Sequence, residues 1–258
     1  MSMKLAARRF PIPFMFVLLV ACGPDEPVEP TPTPTTTTGQ LKVIVRPTWN
    51  GAPFVMNTVY HNVSDYRVKV EGLKFYLGDV RLVNGSSSSV VKDVEFFDLA
   101  HNGDTVLWTG VPTGTWNGMQ LGFGVPQTLN DADPIVYPPG HPLDLARGTY
   151  WTWATAYRFL QFDGRYDLNG ASTGAPASPF SMHTGLNACY QQFDLALNGE
   201  VTITAGNTST IVLDLAVDGF FHTDSDTLDL ATENQTHGTD LPLAQKLTNN
   251  AVHSFSAE

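Results

Sequence analysis

Two of the chain's five tryptophans stand one residue apart, Trp151 and Trp153, in the run WTWATAYRFLQFDG that ends at Gly164. Residues i and i+2 of an extended strand share a face. A regular strand over 150–162 therefore predicts the two indoles side by side, with Tyr157, Phe159 and Asp163 continuing the register. Such a face either walls a hydrophobic core or sets an indole beside a metal or redox site whose histidines come from other segments.

The seven histidines (His61, His101, His141, His183, His222, His237 and His253) are spread singly, without the close spacing of a local metal motif. Any site must be assembled across strands. His183 follows Met182, with Cys189 a little further on. His222 lies in FFHTD, directly after the last strongly apolar run, and His237 in the polar stretch NQTHG. Imidazole, thioether and thiol together favour copper over magnesium or calcium. For any one histidine, a hydrogen-bonded structural role competes with ligation. Hydrolase and nucleotide signatures are missing: no Gly-x-Ser-x-Gly, no P-loop, no Gly-x-Gly-x-x-Gly, no His-Glu-x-x-His. The expectation is a protein that is not an enzyme.

The positioning elements begin beyond residue 39. Lys4, Arg8 and Arg9 precede a short apolar run from Phe14 to Val20 that ends in Leu19-Val20-Ala21-Cys22. This reads as a bacterial lipoprotein signal over residues 1–22, with Cys22 as the lipid acceptor. Residues 23–39, rich in Pro and Thr, cannot bury a core and read as an extended tether. The expected location is the cell envelope, anchored to a bacterial membrane, with the outer membrane facing periplasm or cell surface preferred. Removing the three basic residues of the signal leaves 11 Lys+Arg against 25 Asp+Glu, a charge of −14. That argues against nucleic acid as a partner. With Cys22 lipidated, Cys189 has no intramolecular partner.

Residues 40–258 are punctuated like one all-β domain. Leu41–Pro47 is a β-branched run stopped by proline. RVKVEGLKFYLGDVRLV (67–83) alternates apolar and polar, and Gly72 and Gly78 suggest bulges. Asn84–Ser89 reads as a flexible loop before a return strand at Val90–Leu99. Asn198-Gly199 reads as a type I′ hairpin turn between Gln192–Leu197 and Glu200–Thr204. Thr210–Val217 is the last strong strand, and one helix is expected near 241–250, where Pro242 suits a first turn. The predicted fold is an antiparallel β-sandwich with a short C-terminal helix.

Four segments in order resemble the MbnP-like copper-binding family of exported β proteins: VEGLKFYLGDVRL (70–82), LGFGVPQTLN (121–130), WTWATAYRFLQFDG (151–164) and FFHTDSDTLDLATENQTH (220–237). His183-Thr184-Gly185 also looks like the family's His-x-Gly. Ala156-Tyr157 stands where Gly-Tyr is expected, and Asp163-Gly164 where Glu-Gly is. The resemblance implies one copper ion held by two histidines and a kynurenine, an oxidised tryptophan made by a dihaem cytochrome c peroxidase-like partner. It places the modified residue at Trp151 or Trp153, with His183 and His222 the first candidates for imidazole ligands and His237 a third. The alternative is a non-catalytic β-sandwich module for carbohydrate or a cell-surface partner, with the aromatic strand as its platform.

Overall fold

The computed structural model describes residues 37–152, 156–224, 226–237 and 240–258. The signal segment, Cys22, most of the tether and Trp153 lie outside them. In chain order the strands are β1 (Thr38–Trp49), β2 (Ala52–Pro53), β3 (Val59–His61), β4 (Arg67–Asn84), β5 (Ser87–Asp98), β6 (Thr105–Pro112), β7 (Gly114–Phe123), β8 (Tyr150–Trp151), β9 (Ala156–Asp167), β10 (Ser178–Gly185), β11 (Gln191–Ile203), β12 (Thr208–Ala216), β13 (Gln235–His237) and β14 (Phe255–Ala257). Helices are α1 (Gln127–Asn130) and α2 (Leu241–His253).

Strand β4 shows how the sequence keeps one face inward along an unusually long element. Val68 and Val70 are buried at even positions, Leu73, Phe75 and Leu77 at odd ones, and Val80 and Leu82 at even ones again. Each change of parity coincides with a register shift, at Val70/Gly72 against β9 and at Gly78/Arg81 against β7. An extra residue at each bulge returns the apolar set to the core. Asp79, in the second bulge, adopts a positive φ of 48°.

A five-stranded sheet has the order β14-β12-β1-β2, with β6 also on β1. The nine-stranded sheet runs β11-β7-β4-β9-β10-β13, with β3 and β5 on β4 and β8 on β9. Leu41, Val43 and Val45 of β1, Ile211 and Leu213 of β12, and Phe75 and Phe162 of the larger sheet share one buried core. The β-sandwich with a C-terminal helix is present, but its sheets are mixed. The β1–β12 and β10–β13 ladders are parallel. A second buried cluster joins Tyr76, Val125, Leu143, Tyr157, Phe159, Cys189 and Ala244.

Several local expectations are corrected. Pro47 does not end β1, which continues to Trp49. The loop after β4 shrinks to Gly85-Ser86, because Asn84 already pairs with Ser87. Asn198-Gly199 does not reverse the chain. Strand β11 runs through it along the same partner β7, with a register shift between Ala196 and Val201, and Gly199 takes φ 107°. An Asn-Gly pair supplies the positive φ of a wide bulge as readily as that of a turn. Helix α2 extends to His253; the Asp240 side chain caps it by accepting from the Leu243 amide.

Candidate metal centre

The run 150–162 is not one continuous strand: β8 and β9 pair antiparallel. Tyr150 pairs with Tyr157, and Trp151 with Ala156, whose φ is 57°. The expected stack of Trp151 on the register of Tyr157 and Phe159 is therefore not formed, because the chain turns back between them. Strand β9 is in turn tied to the segment before it. The buried Asn130 side chain accepts from the Tyr157 amide at 3.1 Å and donates to Asn187. Gly124, at φ 112°, lies so close to the Phe159 ring that a Cβ there would clash. This is the structural work of LGFGVPQTLN: it clamps the start of β9.

Strand β10 lies antiparallel on β9, with Met182 opposite Phe162 and Ser181 opposite Asp163. Phe180, Met182 and Phe162 point into the sandwich core. By strand alternation, Ser181, His183 and Asp163 occupy the other face. On the far side of β10 the short parallel β13 sets His237 directly beside His183. Three rings meet on this face. The His183 and His237 centroids are 5.3 Å apart, and Trp151 lies 5.4 Å from the first and 5.7 Å from the second. The Arg158 guanidinium covers the Trp151 ring at 4.4 Å and is fixed by the Gly148 and Thr149 carbonyls.

The two imidazoles have different surroundings. His183 is buried; its Nε2 lies 3.0 and 3.1 Å from the two oxygens of Asp163, and Ser181 Oγ donates to the same carboxylate at 2.7 Å. Its Nδ1 is buried and has no hydrogen-bond partner among the described residues. His237 is partly exposed and has Gln235 Nε2 at 3.1 Å from Nδ1. Burial raises the Asp163 carboxyl, but hydrogen bonds and charge from His183, then Ser181 and Arg158, outweigh it and hold the group below its ordinary value. Burial, and then the neighbouring His183, lower His237 below its ordinary value of 6.5.

That shift has a sign. The unfolded chain takes up a proton at His237 before the folded protein does, so stability is full above the unfolded value and falls as pH drops through it. The loss is complete below the folded value. Urea midpoints compared near pH 7.5 and near pH 5 should fall in the wild type, and by less in His237→Gln. An equal fall in both proteins would assign the effect to other groups.

Of the residues singled out in the sequence, Trp151, His183 and His237 are brought together. His222 is not: among the described residues, no ring contact or hydrogen bond links it to that group. Its Nδ1 is 2.8 Å from Thr227 Oγ1, and it lines a pocket with His61, Asn62 and Asp218. Met182 faces the core, opposite to His183 along the strand, and Cys189 is buried in the second cluster with its thiol pushed up by desolvation. The thioether and thiol therefore do not join the imidazoles. Ser181 and Arg158 carry no motif and were not singled out from the sequence. The alternation of Phe180 and Met182 with Ser181 and His183 is the signal that could have marked β10.

Among the described residues, no group of three or more His, Cys, Asp or Glu side chains is arranged to hold a metal ion. The third member of this group is a tryptophan, whose indole N–H is a donor only. As encoded, the site offers two imidazoles, one of them with an orphaned buried nitrogen beside an aromatic ring. That donor set suits copper or zinc better than calcium or magnesium.

Fold and site together define a two-sheet β-sandwich with an imidazole pair and a tryptophan on the outer face of its larger sheet. The model of the MbnP family matches residues 38–240, and the chain belongs to that family. A solved structure, MbnP from Methylosinus trichosporium, aligns with a TM-score of 0.51 at 14% identity, over 80% of this chain and 87% of that one. At that identity the likeness shows the fold alone. No curated protein matches the sequence.

Proposed function

We propose that this chain is an exported, lipid-anchored copper-binding protein without turnover of its own, carrying one copper ion at the Trp151–His183–His237 group. The observation that carries the reading is the convergence of these three rings from three separate strands within 5.7 Å of one another. The unpartnered buried Nδ1 of His183 supports it, since a buried acceptor left empty costs about 1–3 kcal/mol and a metal would occupy it. His183 and His237 would hold the ion. Copper, when bound, supplies a soft redox-active centre for handling or acquisition.

Trp151 is the residue we assign to oxidation. Conversion to kynurenine is a four-electron oxidation that opens the indole C2–C3 bond, adding one oxygen at each carbon. Hydrolysis then releases C2 as formate and leaves an aniline nitrogen with a lone pair, which the indole lacks. A dihaem cytochrome c peroxidase-like partner relays the oxidising equivalents of two peroxide molecules, each of which is reduced to water. Cys22 attaches the mature chain to the membrane, which places the site in the cell envelope.

The test uses protein from the native host under copper limitation. Metal analysis should find copper near one equivalent, and peptide mapping should find kynurenine at position 151. Recombinant protein made without the partner should carry plain tryptophan. Native protein without copper and with an unmodified Trp151 would overturn the reading in favour of an aromatic binding platform.

A further inference from the structure

We infer that Asp163 fixes the tautomer of His183, and so determines that Nδ1 is the atom this histidine offers to a metal. The inference rests on the copper reading above and adds a positioning residue to it. An ionised carboxylate only accepts hydrogen bonds. With both Asp163 oxygens within 3.1 Å of Nε2, that nitrogen must carry the hydrogen. A neutral imidazole has one N–H, so the lone pair is left on Nδ1. Nδ1 is the buried nitrogen that no group among the described residues satisfies.

The backbone makes the arrangement rigid. Asp163 and Ser181 face each other across the β9–β10 ladder, and Ser181 Oγ donates to Asp163 at 2.7 Å. His183 is two residues along the same face of β10. Gly164, next to Asp163, lies against the Lys69 carbonyl and the Phe180 ring, where any Cβ would collide. The carboxylate is thus held by a side chain from β10 and a backbone that cannot drift from β4. A ligand histidine backed by a carboxylate has one tautomer, one ring orientation and a more basic free nitrogen. Removing such a partner lowers metal affinity by about 10–100-fold.

The experiment compares metal-free wild type, Asp163→Asn and Ser181→Ala by long-range nitrogen–proton NMR of the histidine rings near pH 8, where imidazoles are neutral. Copper(I) affinity is measured on the same samples by chelator competition. Wild type should show His183 protonated at Nε2. In Asp163→Asn the carboxamide can donate as well as accept, so this preference should be lost, and copper(I) affinity should fall by about 10–100-fold. Ser181→Ala should keep the tautomer and weaken binding only a few-fold. Wild-type His183 protonated at Nδ1 would overturn the inference. So would Asp163→Asn with unchanged tautomer and affinity. If Asp163→Asn does not fold, the wild-type tautomer and the Ser181→Ala affinity decide it. Failure of the wild type to take up copper would count against the proposed function, while the metal-free tautomer still reports whether Asp163 orients His183.

Discussion

His183→Ala and His237→Ala are each expected to lower copper affinity at least about a hundredfold while the protein stays folded, and His222→Ala is expected to leave affinity unchanged. A structural metal site contributes of order 10–16 kcal/mol over all its ligands, so one imidazole lost from a small set costs about 3 kcal/mol or more. Neither neighbour can substitute. Asp163 is occupied by Ser181, and Met182 points into the core. The fold should tolerate both changes. His237 is partly exposed on a three-residue edge strand, and His183 hydrogen-bonds the Asp163 carboxylate on the outer face of the sheet. Chelator competition gives the affinities and thermal melting the stability. Wild-type affinity in both His183→Ala and His237→Ala would remove the site from this face, and a loss confined to His222→Ala would move it to the pocket shared with His61.

The second large effect lies on the opposite face of the same sheet. Phe162 is fully buried, with Phe180, Phe220 and Phe221 at centroid distances of 5.1–5.2 Å. Its removal leaves a cavity between the sheets that surrounding rings cannot fill without leaving their own contacts. Phe162→Ala should therefore destabilise the protein by about 3–5 kcal/mol, read from denaturant midpoints at unchanged slope. Copper affinity of the fraction that remains folded should change far less, because the site depends on residues facing away from this core. A loss under about 1 kcal/mol would mean that the core relaxes around the vacancy, contrary to close packing.

Much of this architecture was legible because its causes are local. Period-two burial in β4, the bulges near Gly72 and Gly78, and the helix begun by Asp240 and Pro242 depend on neighbouring residues alone. The parallel pairing of β1 with β12 and of β10 with β13 does not, since nothing within a strand encodes its distant partner's direction. That is why the sequence sets His222 ahead of His237: each is a single histidine, and only the β13 register places one of them beside His183. The hairpin at Trp151 was hidden for a related reason. An aromatic run without Gly, Pro or Asn looks like one strand, and Ala156, which adopts a positive φ at the start of β9, is a residue with no special preference for it. Ser181 carries no motif of its own; its role follows only once the alternate residues of β10 are assigned to opposite faces.

The parallel docking of β13 ties completeness of the site to completeness of the chain. Strands β8, β9 and β10 are contiguous or nearly so, and could pair early. The last imidazole arrives from much later in the sequence, after β11 and β12 have been placed in two different sheets. Closing so long an excursion costs entropy before any contact rewards it. A truncated, nicked or half-folded molecule would present Trp151 and His183 without His237, and so would hold an incoming ion weakly. Maturation would then proceed only on chains whose β13 is in place, making ligand acquisition a checkpoint on folding as well as its product.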